Sequence, residues 1–545
     1  MDEVYLAGDV DSIQDYVFET SSLPQIKGGS ELLQRCEDLI SGELRQRYGY
    51  KVLYCAGGSF LLKVKRDSAL QVKREIEQLY RDKTLVVTVS LVHEEGELPG
   101  GPLPHRDRLD GWAERLVKAA NDSDGIEFHL RIAHLMSHLR EAKHSRTTVP
   151  FFQALPFGQR CNRCGKRMVV RIKENLGERL CPVCDLRDRV GRDYSDGQTV
   201  RGKFNREFWE KYCPNVKVKF PSDLDALVGE HERGYLAFLY ADGNDIGRLL
   251  RRVQLEDEYE QLSQALMEGT KTAVYEAINA VCGEAIRQRQ TWPFDILNIG
   301  GDDVTILLHA GYAWEVAVRF LERFECEVKL PVGLAHKKDG DANERITASC
   351  AFVVADVKFP IRYMQRLTKA LLGQAKHVAK TKKSSAVTFL WLPGPVASEH
   401  VGPLLSAYEF RHGTAERLNL LGRPYTLEQA HDLLELSKEL ASWPHSLRHR
   451  WQEILPKGVM ISTSLIAYDI ARRKGMQQAV LSALERLAKT LSPDGTGSRQ
   501  LSPPVWVLDP PSRDGEAIWR TALLDALELA ELHSMRPDRQ REVEE

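Results

Sequence analysis

The chain has 545 residues, enough for about three or four domains with apolar cores of their own. Its 75 Lys and Arg against 77 Asp and Glu leave a formal net charge of -2, so no overall basic field marks it for nucleic acid, and such binding has to use local patches. The opening Met1-Asp2-Glu3-Val4-Tyr5-Leu6 lacks the basic and apolar regions of a secretory leader, and no uncharged apolar run of about 18 residues occurs. These features predict a cytoplasmic chain without a membrane span.

A first unit is predicted over residues 1–150. Gly8-Asp9-Val10-Asp11-Ser12-Ile13 places two carboxylates where a strand ends and a helix is capped. Gly28-Gly29-Ser30, ahead of a helical run, would present backbone N–H groups and a hydroxyl to phosphate. Val52 to Leu62 then reads as strand, Gly57-Gly58 turn and strand. Between about 105 and 150 the pattern is helical. His134 and His138 share a face there, but Leu135-Met136-Ser137 between them lacks a metalloprotease glutamate, and the apolar neighbours put both histidines at the margin of a packed face.

Residues 151–225 are expected to hold a zinc ribbon and a connector. Cys161-Asn162-Arg163-Cys164, a gap of 16 residues, and Cys181-Pro182-Val183-Cys184 have the spacing of two knuckles around one structural Zn2+. The other six cysteines show no secreted disulfide pattern, which fits a reducing compartment. Arg160, Arg163, Lys166, Arg167, Arg171 and Lys173 around the knuckles read either as nucleic-acid contacts or as a solvated face. Arg187 to about Gln198 reads as a loop.

A second unit is expected over 226–395. Tyr235 to Ala241 is strand-like and runs into Asp242-Gly243-Asn244-Asp245, with a helix starting near Ile246. Phe294 to Leu308 is two apolar runs flanking Gly300-Gly301-Asp302-Asp303, a β-hairpin with paired carboxylates at its tip. Adjacent aspartates between buried strands repel one another, and Mg2+ or Mn2+ would offset that repulsion. In a β-α-β-β unit the end of the first strand meets the hairpin tip, so Asp242, Asp302 and Asp303 would hold the metals while the glycine turn receives phosphate. The earlier hairpin carries Ser59 and Phe60 in place of the aspartates and reads as a degenerate copy that supports substrate. Ala313 to Phe324 as helix, Ile346 to Ala355 as strand, Ile361 to Lys380 as helix and Val387 to Trp391 as strand complete an α+β unit of β-α-β-β-α-β order. Beyond Pro393-Gly394-Pro395, residues 396–545 read as mainly helical. Thr426-Leu427-Glu428-Gln429 there has capping-box spacing, further helices are expected over about 476–491 and 516–532, and Ser492 to Pro511 reads as a linker. His431-Asp432 alone does not make a nuclease metal site.

The segments Gly8–Phe18, Ile26–Leu33, Asp242–Gly247 and Phe294–Leu308 together resemble the large palm-polymerase subunit of type III CRISPR effector complexes, in order across roughly residues 1–395. The resemblance implies two ferredoxin-like palms, the second carrying GGDD, and a nucleotidyltransferase that converts ATP to cyclic oligoadenylate for antiviral defence. It favours a substrate role for Ser30, and Leu371-Leu372-Gly373-Gln374-Ala375-Lys376 resembles the family's closing helix, with Lys376 on the triphosphate. Gly243, Asn244, Asp245, Gly300 and Gly301 would line the nucleotide. Implied partners are guide and target RNA through other effector subunits, and a small helical subunit at the C-terminal domain. The first palm starts almost at Met1, which implies a form without the HD nuclease. Relatives often have Asp-Gly-Asp-Asn where this chain has Asp242-Gly243-Asn244-Asp245, so the second-carboxylate role stays open. Also open are a GTP-using cyclase, a standalone cyclic-nucleotide synthase, and a non-catalytic nucleotide-binding scaffold of an RNA-guided complex.

Overall fold

The computed structural model describes residues 3–94, 123–145, 157–173, 177–192, 202–218, 220–229, 234–289, 292–331, 345–394, 398–412, 416–473, 477–492, 501–510 and 517–537. Residues 105–122 and 146–150 of the helical pattern expected over about 105–150, residues 193–198 of the expected loop, Pro395, and residues 493–500 and 511 of the expected Ser492–Pro511 linker lie outside these residues; within the described part of that linker, Val507–Asp509 is a strand, which corrects the expectation there.

Near the N-terminus come β1 (Glu3–Val10), α1 (Ile13–Val17), α2 (Leu23–Leu39), β2 (Lys51–Ala56), β3 (Ser59–Lys65), α3 (Arg66–Thr84) and β4 (Val89–His93). The strands form one antiparallel sheet in the order β2-β3-β1-β4. Numbered along the chain this is 4-1-3-2, the ferredoxin-like order. Helix α4 (Ser123–Ser145) packs on β4 and β1.

The small hairpin β5 (Arg171–Lys173) and β6 (Glu178–Leu180) follows, then α5 (Pro182–Arg192) and α6 (Lys203–Tyr212). Helix α5 corrects the expected loop after Arg187. Proline is favoured in the first turn of a helix, and Val183, Cys184, Arg187 and Gly191 make a buried face at helical spacing that charge-rich composition concealed.

The second unit repeats the first. It contains β7 (Tyr235–Gly243), α7 (Ile246–Leu250), α8 (Glu256–Arg289), β8 (Phe294–Gly300), β9 (Asp303–His309), α9 (Ala313–Glu327), β10 (Ala348–Asp356), α10 (Ile361–Lys382) and β11 (Ala386–Leu392). Four strands take the order β10-β7-β9-β8, again 4-1-3-2, and β11 adds parallel to β10. Strand β10 is buried from Ala348 to Ala355, as a central strand covered on both faces must be, and is correspondingly apolar. Helix α10 covers one side with Ile361, Met364, Leu367, Leu371, Leu372 and Ala375, the i, i+3, i+4 stripe of an amphipathic helix.

In the C-terminal region β12 (Glu409–His412), β13 (Glu416–Asn419) and β14 (Tyr425–Thr426) precede α11 (Leu427–Ala441), α12 (His445–Ile454), α13 (Val459–Ala471) and α14 (Gln477–Leu491). They are followed by β15 (Val507–Asp509), β16 (Ala517–Arg520) and α15 (Leu523–Ser534). The region is mainly helical, and α11 starts with a complete Thr426–Gln429 capping box. It also carries a four-stranded sheet, β12-β13-β16-β15, and lends β14 to the second palm's sheet. The helix expected over 516–532 is thus corrected: residues 517–520 are a strand and the helix begins at Leu523, because Ile518 and Trp519 pair across the sheet.

The two palms are joined through buried polar contacts. Lys27 of α2 makes an ion pair with Asp295 of β8, both side chains being buried, and Asn205 Nδ2 donates to Asp295 Oδ1 at 3.0 Å. Burial raises the Asp295 carboxyl, and the Lys27 ammonium opposes that shift. Phe18 meets Phe238 edge-on at 5.1 Å. Among the described residues, no helix is long and apolar enough to cross a membrane.

Candidate active site

Strands β7 and β9 pair as far as Ala241 and Val304, which sets Asp242 beside the turn of the next hairpin. Gly300 and Asp303 close that hairpin and leave Gly301 and Asp302 at its tip. Gly301 has φ +76°, a region that residues with a Cβ rarely adopt. A Cβ on Gly243 would lie 3.0 Å from Asp302 Cβ, so glycine there lets the two acidic residues approach.

Asp302 shares a hydrogen bond with Asp242, and Lys376 Nζ of α10 lies 2.8 Å from Asp242 Oδ2. Burial, reinforced by the charge of Asp242, pushes the Asp302 carboxyl up to about 6. Asp303 is also raised well above the ordinary carboxylate range, by burial first and then by Asp302, Asp242 and Glu37. Carboxyls so placed lack positive charge, with Lys376 the cation that offsets them. The donor atoms of the four cysteines all lie within 4.8 Å of one another. A Mg2+ or Mn2+ ion needs only one or two protein carboxylates beside substrate phosphates, a requirement that the Asp242–Asp302 pair fits.

The hairpin of the first palm abuts this one. A Cβ on Gly300 would lie 2.6 Å from Gly57 Cα, and one on Gly301 would lie 2.8 Å from Tyr54 Oη. Gly58 N donates to Glu37 Oε1 at 2.6 Å. Between the palms lies a cavity of about 130 Å³, with Ser30, Gln34, Glu37 and Gly58 on one wall and Asn298, Asp303 and Thr305 on the other. Burial pushes the Glu37 carboxyl up to about 7, against the opposing hydrogen bond from Gly58.

The repeat can be followed residue by residue. Asp9 faces Ser90 across β1 and β4 as Asp242 faces Ser349 across β7 and β10. Asp11 N donates to Thr88 O at 2.9 Å, and its carboxylate accepts from Thr88 Oγ1 and Ser90 Oγ at 2.7 and 3.0 Å. In the second palm Asn244 N donates to Thr347 O at 2.8 Å, while its side chain bonds Thr347 Oγ1 and Ser349 Oγ at 3.0 and 2.8 Å. Asn244 therefore ties the turn to the fourth strand, as Asp11 does. Ser12 and Asp245, both left-handed, each cap a five-residue helix. Lys143 on α4 pairs with Asp9 as Lys376 pairs with Asp242.

The register corrects one expectation. Ala56 pairs with Ser59 as Gly300 pairs with Asp303, so Gly58 stands in the place of Asp302, and Ser59, not Phe60, in that of Asp303. A second correction concerns Gly28-Gly29-Ser30, which lie inside α2 and not ahead of it. Their backbone N–H groups belong to helix interior, and the Ser30 hydroxyl donates to Leu297 O of the second palm. Gly28 is glycine for packing, since a Cβ would lie 1.9 Å from Arg187 O. Sequence reasoning missed Glu37, Tyr54, Asn298 and the Lys27–Asp295 pair; a charged residue inside the apolar Phe294–Ile299 run was the one available signal.

The four cysteines converge from both knuckles, and Cys164 Sγ and Cys181 Sγ are 3.8 Å apart. Tetrahedral Zn–S bonds of about 2.3 Å place sulfurs about 3.8 Å apart, so the donor set fits Zn2+. The basic residues beside it are largely engaged: Arg163 with Glu178, Lys166 and Arg167 with Glu19, Arg171 with Asp185, and Lys173 with Asp188. His134 and His138 lie with ring centroids 4.1 Å apart at the edge of α4.

Fold and site define a protein with two palms, in which a carboxylate-tipped hairpin faces a degenerate copy of itself. Residues 235–386 match the family model for the second palm domain of Cas10/Cmr2. No curated protein matches it. Similar solved structures include a Csm1–Csm4 cassette in complex with cA4, at 15% identity and TM-score 0.45, covering 89% of this chain and 70% of that one. The same cassette in complex with one ATP gives 15% identity and TM-score 0.44 over 89% and 69% of the two chains. A Csm1–Csm4 subcomplex of the type III-A CRISPR-Csm interference complex gives 15%, TM-score 0.44, 89% and 70%.

Proposed function

We propose that the chain is a nucleotidyltransferase that converts ATP to cyclic oligoadenylate, with Asp242, Asp302 and Asp303 as its catalytic carboxylates. The observation that carries this reading is the convergence of these carboxyls, two of them with raised affinity for protons, at a glycine hairpin beside an inter-palm cavity. When bound by them, Mg2+ or Mn2+ supplies the charge that stabilises the attacking and leaving oxygens of phosphoryl transfer. Gly300 and Gly301 keep the hairpin free of side chains where a nucleotide approaches, and Lys376 exchanges its bond to Asp242 for a triphosphate oxygen. Ser30 and Gln34 offer polar atoms from the first palm for an acceptor nucleotide, whose 3′-oxygen attacks the α-phosphorus of the donor as pyrophosphate leaves. The Asn244 amide and Asp245 keep the turn in place.

In this reading guide and target RNA act through other effector subunits, and a small helical subunit sits at the C-terminal domain. Zn2+ at Cys161, Cys164, Cys181 and Cys184 is structural. The test is incubation of the protein with labelled ATP or GTP and Mn2+ or Mg2+, alone and with guide complex and target RNA, beside Asp302→Ala/Asp303→Ala. Cyclic adenylates from the intact protein only support the reading; conversion of GTP instead makes it a guanylate cyclase, and silence in every arm makes it a scaffold.

A further inference from the structure

The ribbon is not a separate appendage. Arg187, three residues after the last cysteine, is fully buried inside the first palm. Its Nε donates to Gln25 O at 3.0 Å and its Nη2 to Val17 O at 2.7 Å, while the guanidinium lies 5.0 Å from the Tyr16 ring centroid. Helices α5 and α2 cross at glycines: a Cβ on Gly28 would lie 1.9 Å from Arg187 O, and one on Gly191 would lie 1.8 Å from Pro24 O. Glu19 closes the joint, with Arg167 Nη1 at 2.7 Å and Lys166 Nζ at 3.1 Å from the ribbon and Arg187 Nη1 at 3.6 Å. The segments gripped in this way, the end of α1 and the length of α2, supply Val17, Phe18, Ser30, Gln34 and Glu37 to the wall of the inter-palm cavity.

We infer that Arg187 is a positioning residue, through which the four-cysteine ribbon sets the first palm's half of the nucleotide site. The inference rests on the cavity being that site. The guanidinium ties the Val17 carbonyl at the end of α1 to the Gln25 carbonyl in the first turn of α2, and these charge-assisted hydrogen bonds in a buried setting fix α1 and α2 relative to each other. The cavity wall then follows the ribbon.

The test compares wild type, Arg187→Lys, Arg187→Ala and Gly191→Ala, which leaves Arg187 in place but forces α5 off α2. Hydrogen exchange of residues 23–39 is expected to speed up on the order of 10-fold in both Ala variants, with residues 256–289 and zinc content unchanged. The apparent KM for ATP is expected to rise on the order of 10-fold with a smaller fall in kcat, and Arg187→Lys to recover part of the loss. Unchanged exchange over 23–39, or equal losses in exchange protection across both palms, overturns the inference. If wild type neither binds nor converts ATP, the nucleotide reading fails, and the exchange measurement, which needs no nucleotide, still decides whether the ribbon positions α2. Should Arg187→Ala not fold, Gly191→Ala and Arg187→Lys carry the same comparison.

Discussion

Replacing Asp302 by Asn should stabilise the metal-free protein at neutral pH. Burial and the charge of Asp242 raise the Asp302 carboxyl from 3.8 to about 6 in the fold. A group that binds its proton more tightly folded than unfolded favours the folded state when protonated. Its contribution is complete below about pH 4 and is lost as pH rises through about 6. At about 1.4 kcal/mol per unit, ionised Asp302 costs about 3 kcal/mol at pH 8, and Asp303 adds a cost of the same sign. Asp302→Asn removes the first of these, together with a source of repulsion on Asp242. Thermal unfolding in chelator at pH 5 and pH 8 should therefore show wild type losing stability across that interval and the variant losing less. Added Mn2+ should reverse the order by stabilising wild type alone. A variant less stable than wild type at pH 8 in chelator would refute the electrostatic reasoning, as would a wild type indifferent to pH between 5 and 8.

Gly300→Ala would set a Cβ 2.4 Å from Asp303 Oδ1 and 2.6 Å from Gly57 Cα, so a loss of about 1–3 kcal/mol and of nucleotidyl transfer is expected from unfolding midpoints and product assays. Cys161→Ser should lower zinc content and open the ribbon to proteolysis near 157–180, with full zinc occupancy as the contrary result. In the C-terminal region Asp525 accepts from Gly422 N at 2.8 Å, Arg423 N at 3.1 Å and Arg423 Nε at 2.9 Å. Asp525→Asn leaves buried Arg423 with Glu528 as its counter-charge and weakens three hydrogen bonds, and about 1–3 kcal/mol of stability should be lost in chemical unfolding.

Local patterns carried much of the architecture. The apolar runs around Gly300-Gly301-Asp302-Asp303 and around Gly57-Gly58 were legible as hairpins because strand propensity and turn chemistry act within a few residues. The cysteine spacing was legible for the same reason. Helix α5 was not, since its face consists of Cys184, Arg187 and Gly191 rather than leucines, and those residues become a buried stripe only against α2. Gly28-Gly29 read as a phosphate turn because glycine freedom is visible in sequence, whereas close helix crossing is not. The chain by itself determined that two β-α-β-β units exist and that one of them carries paired aspartates. Only the tertiary structure decided that the two hairpin tips meet at Gly57 and Gly300, that Glu37 joins Asp303 at one cavity, and that the ribbon's Arg187 lies inside the first palm. Those contacts join residues more than 150 positions apart, and burial, which neither segment carries alone, gives their carboxyls and guanidinium their chemistry.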